Sequence, residues 1–387
     1  MRTLWQSTLL RHLVIAVVAV LAIMFATGYV ETFYDYQLAI IAAYLCAVAG
    51  LTVLTGQNGQ VSLGQSAIMA VGAYTTALFQ KMFSDHDVTT QWTLLYSLLA
   101  AVVVSGLAGL VIGLAAARLR GPYLAGLTLA IVLVVPAITT HWSSVFGADQ
   151  GLPVPMNPPP AMLGDGFPNE QWQAYFAVLA AAVTMFLLAN LVRSRVGRTF
   201  RAVRDNEVAA QLAGINVART QVIAFVVSAA CAGLGGGVVA AINGAVSPDS
   251  YSLTLSLYLL LAIVLGGVGS LAGAVWGSAA IVILPYLTAK LMTHMTLSAA
   301  AAVKLKDNVP LAVFGLALIV IAIAAPGGIQ GLLRRIGLIP QPARPRPAIT
   351  PAPTQPSPRM QPPSSTEPGA PGSTSDTATS SEAASAP

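Results

Sequence analysis

The sequence predicts an all-α, polytopic integral membrane protein of about ten transmembrane helices with both termini cytoplasmic, and three observations carry that prediction. Of 387 residues, 56% are hydrophobic and only 9% are charged, where a soluble domain carries roughly a quarter of its residues as Asp, Glu, Lys or Arg. Apolar runs long enough to cross a bilayer, about 20 residues each, recur along the chain, and they are continuous rather than alternating, which selects helices over a β-barrel. The basic residues also segregate. With a cytoplasmic N-terminus, fifteen Lys and Arg fall inside and only Lys81, Lys290, Lys304 and Lys306 fall outside, the bias that the positive-inside rule requires.

Taken in order, the first run, residues 12–30, follows Arg2 and Arg11 and superficially resembles a secretory signal. It lacks a cleavage pattern of small residues, and a second apolar run follows at once, so it reads as a span. Ala16, Ala19, Ala22 and Ala26 form a stripe on it that lets a neighbouring helix approach closely. Further spans are expected at 36–55, 60–80, 92–117 and 122–140. An external loop over 141–171, rich in proline, leads to a span at 172–192. A cytoplasmic loop over 193–221 precedes spans at 220–243, 252–266, 271–291 and 310–326. Residues 1–339 thus form one membrane domain. The remainder, 340–387, holds 13 of the chain's 25 prolines among Ser, Thr and Ala; it cannot bury enough apolar surface to offset its ordering entropy and is expected to be a disordered cytoplasmic tail.

What is missing narrows the function. No proposed span carries an ionisable residue at its centre, which disfavours coupling to protons through a buried carboxylate. No nucleophile, base or metal cluster appears, and no catalytic or metal-binding residue is assigned. Cys46 and Cys231 lie in apolar stretches and read as small core residues. A phosphate-binding G-x-x-x-x-G-K-[ST] loop is absent, so any ATP that drives transport is hydrolysed on another subunit.

The loop RSRVGRTFRAVRDNEVAAQLAGINVARTQ, from Arg193 to Gln221, is the most informative segment. Thr199 to Leu212 has the composition of one short helix, with Phe200, Val203, Val208 and Leu212 as an apolar flank and Gly214 placed to stop it. The arginines read equally as topology determinants that meet anionic lipid headgroups.

Two glycine-rich interruptions stand in the two halves. The first holds Gly56, Gly59 and Gly64 with Gln57, Asn58, Gln60, Ser62 and Gln65; the second holds Gly266, Gly267, Gly269 and Gly273. Paired interruptions point to a substrate path, because unwound backbone in a membrane is tolerated only where it lines a cavity or is buried in protein. A tight turn with close helix packing competes with that reading for the first. For the second it is favoured, since Gly269, Gly273 and Gly277 recur every four residues. Asn243, Ser247 and Asp249 stand at the outer end of the 220–243 span. They are candidates for the path's outer mouth, although Ser247-Pro248-Asp249-Ser250 is also a helix N-cap signal.

The pattern A-A-x-x-x-G at Ala209, Ala210 and Gly214 is similar to the EAA loop of ABC importer permeases, with Glu207 one position early. The run VGRTFRAVRDNEVAAQLAGINV resembles the matching loop of the LivM-type permeases of branched-chain amino acid ABC importers, within the LivH/LivM permease family. GQNGQVSLGQSAIMAVGAY from Gly56, VSPDSYSLTLSLYLLLAIVLGGVGSLAGAVWG from Val246 and PGGIQGLLRR from Pro326 agree with that family. Gly147-Ala148-Asp149-Gln150-Gly151-Leu152 is similar to a family stretch but lacks one neighbouring glycine, and the tail after Pro340 has no counterpart.

The resemblance implies a permease, not an enzyme, in the inner (plasma) membrane of a prokaryote. It would translocate branched-chain or other small apolar amino acids. Its partners would be a second, LivH-type permease, two cytoplasmic ATPases, an extracytoplasmic substrate-binding protein and membrane lipids, with no nucleic acid. This chain would bind no cofactor, ATP and Mg residing on the partners. Coupling to the ATPases falls on Arg198, Arg201, Arg204, Glu207, Ala209, Ala210 and Gly214. The substrate path falls on Gln57, Asn58, Gln60, Ser62, Gln65 and Asn243. Urea or short amides are the alternative cargo, and an ion-coupled secondary transporter or a non-transporting scaffold are alternatives of a different class.

Overall fold

The computed structural model describes residues 32–86, 92–119, 122–160, 167–293 and 327–335, with scattered positions between 14 and 24 and between 312 and 320. By contacts the chain divides into units of residues 1–340 and 341–387. The second unit, and with it the expected tail, lies outside the described residues, as do most of the expected spans at 12–30 and 310–326.

The apolar runs become helices close to where the hydropathy puts them. Helix α1 is Thr32–Leu51 and passes into a π-helical turn at Thr52–Gln57; α2 is Gln65–Asp85, α3 is Thr93–Ala116 and α4 is Pro122–His141. A one-turn α5, Ser143–Phe146, is followed by the two-residue strand β1, Leu152–Pro153. Helix α6 is Asn169–Arg193, and two short helices follow, α7 at Arg195–Asp205 and α8 at Glu207–Leu212. Then come α9 at Val217–Asn243, β2 at Ala245–Val246, a 3-10 turn at Pro248–Tyr251, α10 at Leu253–Gly266, α11 at Leu271–Thr293 and α12 at Gly328–Arg335.

Among the described residues, seven helical stretches are long and apolar enough to cross a membrane. Helix α2, expected as a span at 60–80, is not one of them. It carries Gln65, Ser66, Thr75, Thr76 and Gln80, all buried, and it is enclosed by α3 and α9. Polar side chains are tolerated there because they find partners within the helix or outside it. Thr75 and Thr76 bond back to the carbonyls of Val71 and Gly72, and Asn157 donates to Gln80.

Helix α9 is the central post, packed against α1, α2 and α3. Its Gly233-x-Gly235-Gly236-Gly237 run is the cause. A β-carbon on Gly236 would sit 2.0 Å from the Met69 carbonyl oxygen, and one on Gly72 would sit 2.2 Å from that of Gly233. Without side chains the α2 and α9 backbones touch, the contact that holds helices together where lipid is as apolar as leucine. Cys46 is fully buried in the same core and Cys231 packs against it.

The all-α expectation has one small exception. β1 and β2 pair antiparallel, Leu152 with Val246 and Pro153 with Ala245, and join the segment after α5 to the chain leaving α9.

Candidate functional site

The segment between α6 and α9 is punctuated by three polar caps. Ser194 Oγ accepts from Val196 N–H at 3.1 Å, Asn206 Oδ1 from Ala209 N–H at 2.9 Å and Asn216 Oδ1 from Arg219 N–H at 2.9 Å, each satisfying an orphan donor at a helix start. Asn206 is extended, with φ −162° and ψ 109°. It splits the single helix expected over Thr199–Leu212 into α7 and α8.

The break also divides the expected apolar flank. Phe200 and Val203 are 0% and 2% exposed and pack into the bundle, whereas Val208 and Leu212 are 66% and 86% exposed. Ala210 anchors α8 by packing on Val203 and Val217. Ala209 stands on the exposed side, and Glu207 accepts from Gln221 Nε2 at 3.2 Å. Gly214 has φ +80° with open space around it; glycine is needed there for the left-handed backbone that ends the helix, not for clearance.

The arginines do not act alike. Arg198 is exposed. Arg204 Nη1 donates to the Gly56 carbonyl at 2.8 Å while its Nε and Nη2 meet Asp205. Arg201 Nη1 donates to the Val192 carbonyl at 3.2 Å and to Gln57 Oε1 at 3.4 Å. Two residues expected to face an ATPase therefore turn inward onto the chain's own first interruption.

That interruption is a break between two helices. The chain runs from the π turn through Asn58–Gly64 without regular structure and re-enters helix at Gln65. Side chains from the segment itself and from elsewhere satisfy part of its backbone, as a broken segment enclosed in protein requires. Thr128 Oγ1 accepts from Leu63 N–H at 3.0 Å, and Ser256 Oγ accepts from Ser66 N–H at 3.1 Å and pairs with Ser66 Oγ at 2.7 Å. Ser62 Oγ accepts from Gly64 N–H at 3.3 Å. Gln65 is fully buried and donates to the Ala47 carbonyl and to Ser228. Both amide atoms of Asn58 and Oε1 of Gln60 are buried without a protein partner among the described residues.

The second interruption meets the first. A β-carbon on Gly56 would lie 2.4 Å from both N and Cα of Gly269, and Gln57 Nε2 donates to the Gly269 carbonyl. The four-residue glycine stripe is therefore only partly a helix interface. Gly273 packs on the Gly266 carbonyl and Gly277 on that of Ala262, but Gly269 lies before α11 in a turn with φ +81°. Gly267, with φ +114°, abuts Gly327 and Gly328 at the start of α12.

Asn243 is nowhere near this cluster. It ends α9, a helix of 27 residues and so about 40 Å long at about 1.5 Å per residue, whose other end packs on α7 and α8. At the Asn243 end Tyr36 Oη donates to Asn243 Oδ1 at 3.1 Å. Together with Gln37, Tyr44, Ser252, Thr254 and Tyr258 they line an open cavity of about 440 Å³ whose lining holds no charged side chain among the described residues. The path residues expected from sequence thus divide between two ends of the bundle. Ser247 does not act as the expected side-chain cap: its hydroxyl pairs with Ser250 Oγ at 2.9 Å, and Pro248–Tyr251 is a 3-10 turn. Sequence reasoning missed Thr128, Ser228 and Ser256, hydroxyls in apolar runs, and the tyrosines Tyr36, Tyr44 and Tyr258, whose only local signal is a polar edge on an apolar helix.

A bundle of apolar helices with two broken segments that meet, and a capped surface helix carrying exposed apolar side chains, is the architecture of a polytopic membrane protein. The family model for the branched-chain amino acid transport system permease component matches residues 33–322, and the chain belongs to that family. It is 31% identical over 250 residues to the high-affinity branched-chain amino acid permease LivM of Salmonella typhimurium, covering 59% of this chain and 57% of that protein. It is 26% identical over 301 residues to LivH of Escherichia coli, covering 75% and 92%. Against the guanosine permease NupQ of Bacillus subtilis the identity is 28% over 206 residues, covering 51% and 62%. The match thus spans little more than half the length of the LivM relative. No solved structure matches the chain.

Proposed function

We propose that this chain is a permease subunit of an ATP-binding-cassette importer and passes branched-chain or other small apolar amino acids across the inner membrane of a prokaryote. The observation that carries this reading is α8. Val208 and Leu212 project from a short helix capped at its start by Asn206, ended by the Gly214 turn and seated on the bundle by Ala210. Two neighbouring apolar side chains held out on a fixed short helix suit a contact with a partner protein, and in this family the partner is an ATPase. Two ATPases holding ATP and Mg, a second LivH-type permease, an extracytoplasmic binding protein and surrounding lipid complete the assembly. The chain itself holds no cofactor and catalyses no reaction. The α7–α8 end faces the cytoplasm with both termini, ten spans cross the membrane and 340–387 trails as a cytoplasmic tail.

The cargo reading follows from the cavity around Asn243. Amide, hydroxyl and phenol groups with no formal charge suit a solute of zero net charge that carries an apolar part. The same cavity, with three tyrosines, also suits a flat nucleoside, and the relationship to a guanosine permease favours that as the second reading. In proteoliposomes holding the complete importer, saturable uptake of labelled leucine competed by isoleucine supports the first; uptake of guanosine alone replaces it. Glu207→Lys with Gly214→Pro should abolish ATP-driven uptake while membrane insertion persists. Uptake that survives this change removes the coupling role of α8.

A further inference from the structure

We propose that the backbone contact between Gly56 and Gly269 is the joint through which movement of α7 reaches both halves of the bundle, with Arg204 and Arg201 as the positioning residues that drive it. This inference rests on the importer reading above.

The joint is built from two breaks more than two hundred residues apart in sequence. Their backbones touch so closely that a β-carbon on Gly56 would lie 2.4 Å from N and Cα of Gly269. Neither turn shifts toward the other without displacing it. Side chains lock the pair. Gln57 donates to the Gly269 carbonyl with its amide nitrogen and accepts from Arg201 with its amide oxygen. Arg204 holds the Gly56 carbonyl at 2.8 Å, and the Gly59 turn, with φ +80°, lies against its aliphatic stem. The guanidinium is suited to this because its planar set of five donors holds two acceptors at once: Gly56 and Asp205 for Arg204, Val192 and Gln57 for Arg201. On the far side, Gly267 carries the start of α12 at Gly328.

The end of α6, helix α7, the end of α1 and the α10–α11 turn therefore share one small set of bonds, and α12 packs against that turn at Gly267. All but the Arg201–Gln57 bond run from side chain to backbone, and they tie α7 to the first break and to the end of α6. They exchange without unwinding a span, which is what a two-state element requires. Helix α8 lies one residue beyond α7, so a pull on Val208 and Leu212 reaches Arg204 through a rigid capped junction.

The test uses the complete importer in nanodiscs and amide hydrogen exchange with and without a non-hydrolysable ATP analogue. In the wild type, amides of α7, of residues 56–60 and of residues 266–270 should respond together. In Arg204→Gln, α7 should still respond while the response at 266–270 falls about fivefold, and cargo moved per ATP hydrolysed should fall about tenfold, within the usual range of site-to-site coupling. Arg204→Lys should restore part of both, since an ammonium still reaches one carbonyl. Arg195→Gln, an exposed arginine on the same helix, should change neither. A wild-type response at 266–270 in Arg204→Gln, or an unchanged cargo-to-ATP ratio, overturns the proposal. If Arg204→Gln does not assemble, the wild type decides alone: α7 responding while 266–270 stay silent overturns the joint and leaves the importer reading intact. A wild-type α7 that never responds to nucleotide removes both.

Discussion

The two ends of the bundle are each closed by a meeting of chain breaks, and they are closed by different forces. At the end away from α7, β1 and β2 exchange main-chain hydrogen bonds, and Val154 N–H adds another to the Gly244 carbonyl at 2.9 Å. At the α7 end, Gly56 and Gly269 touch without any ladder, and what holds them is Gln57, Arg201 and Arg204. A backbone ladder is the same whatever the side chains do. A side-chain clasp is released by moving one helix. The first end is built to stay and the second to be operated.

The sharpest way to break this comparison is at Gly151. Its φ of +73° and ψ of −171° lie in a region open essentially to glycine, and a β-carbon there would meet the Val246 carbonyl oxygen at 2.0 Å. Gly151→Ala combines that strain with overpacking and should cost more than about 3 kcal/mol, read as a large fall in the thermal midpoint of the detergent-solubilised protein. Gly56→Ala is its counterpart at the α7 end. The added carbon strikes a turn that side chains alone retain, so the stability loss should be about 1–2 kcal/mol, with the coupling ratio damaged far more than the midpoint. Equal midpoint losses for the two variants would show that the ends are equally rigid.

The clasp and its support separate in a third measurement. Thr128→Val deletes the acceptor for Leu63 N–H in the first break, and leaving that buried donor unpaired should cost about 1–3 kcal/mol. Ser66→Ala and Ser256→Ala should be non-additive, coupled by about 0.5–1 kcal/mol, because each hydroxyl's partner is the other. Independent effects would place the two hydroxyls apart.

How much of this was legible in the sequence depends on the reach of the interaction. Where the described residues cover the expected spans, helices stand within a few residues of them, because an apolar run is a local property of the chain. The caps at Asn206 and Asn216 and the stop at Gly214 are local too, but the weight of apolar periodicity hid Asn206 as a break inside Thr199–Leu212. The glycines announced two breaks without announcing that they meet, since nothing near Gly56 refers to Gly269. The partners of the arginines were hidden for the same reason. Charge places Arg201 and Arg204 on one side of the membrane, whereas the carbonyls at Gly56 and Val192 decide where they point, and carbonyls carry no sequence signature. Asn243 was placed at the outer end of its span by the apolar run before it, and α9 does carry it to the end away from Gln57.

The smallest effect is also the most diagnostic of the ladder end. Ala148, the position after Gly147 in the stretch that lacks a family glycine, has φ +49° and is the one non-glycine residue with positive φ among those described. Holding an L-residue there costs about 1–2 kcal/mol, while glycine brings about 0.5–1 kcal/mol of extra freedom to the unfolded chain. Ala148→Gly should therefore stabilise by about 0.5–1 kcal/mol, a midpoint rise of about 1–2 °C, with uptake and coupling ratio unchanged. The sign is the informative part. A gain means the turn between α5 and β1 is held left-handed against alanine's own preference by the pairing at Leu152 and Val246, which is what an end closed by backbone should do to a residue that fits it poorly. A loss would mean the turn yields to its side chains, as the Gly56 turn does.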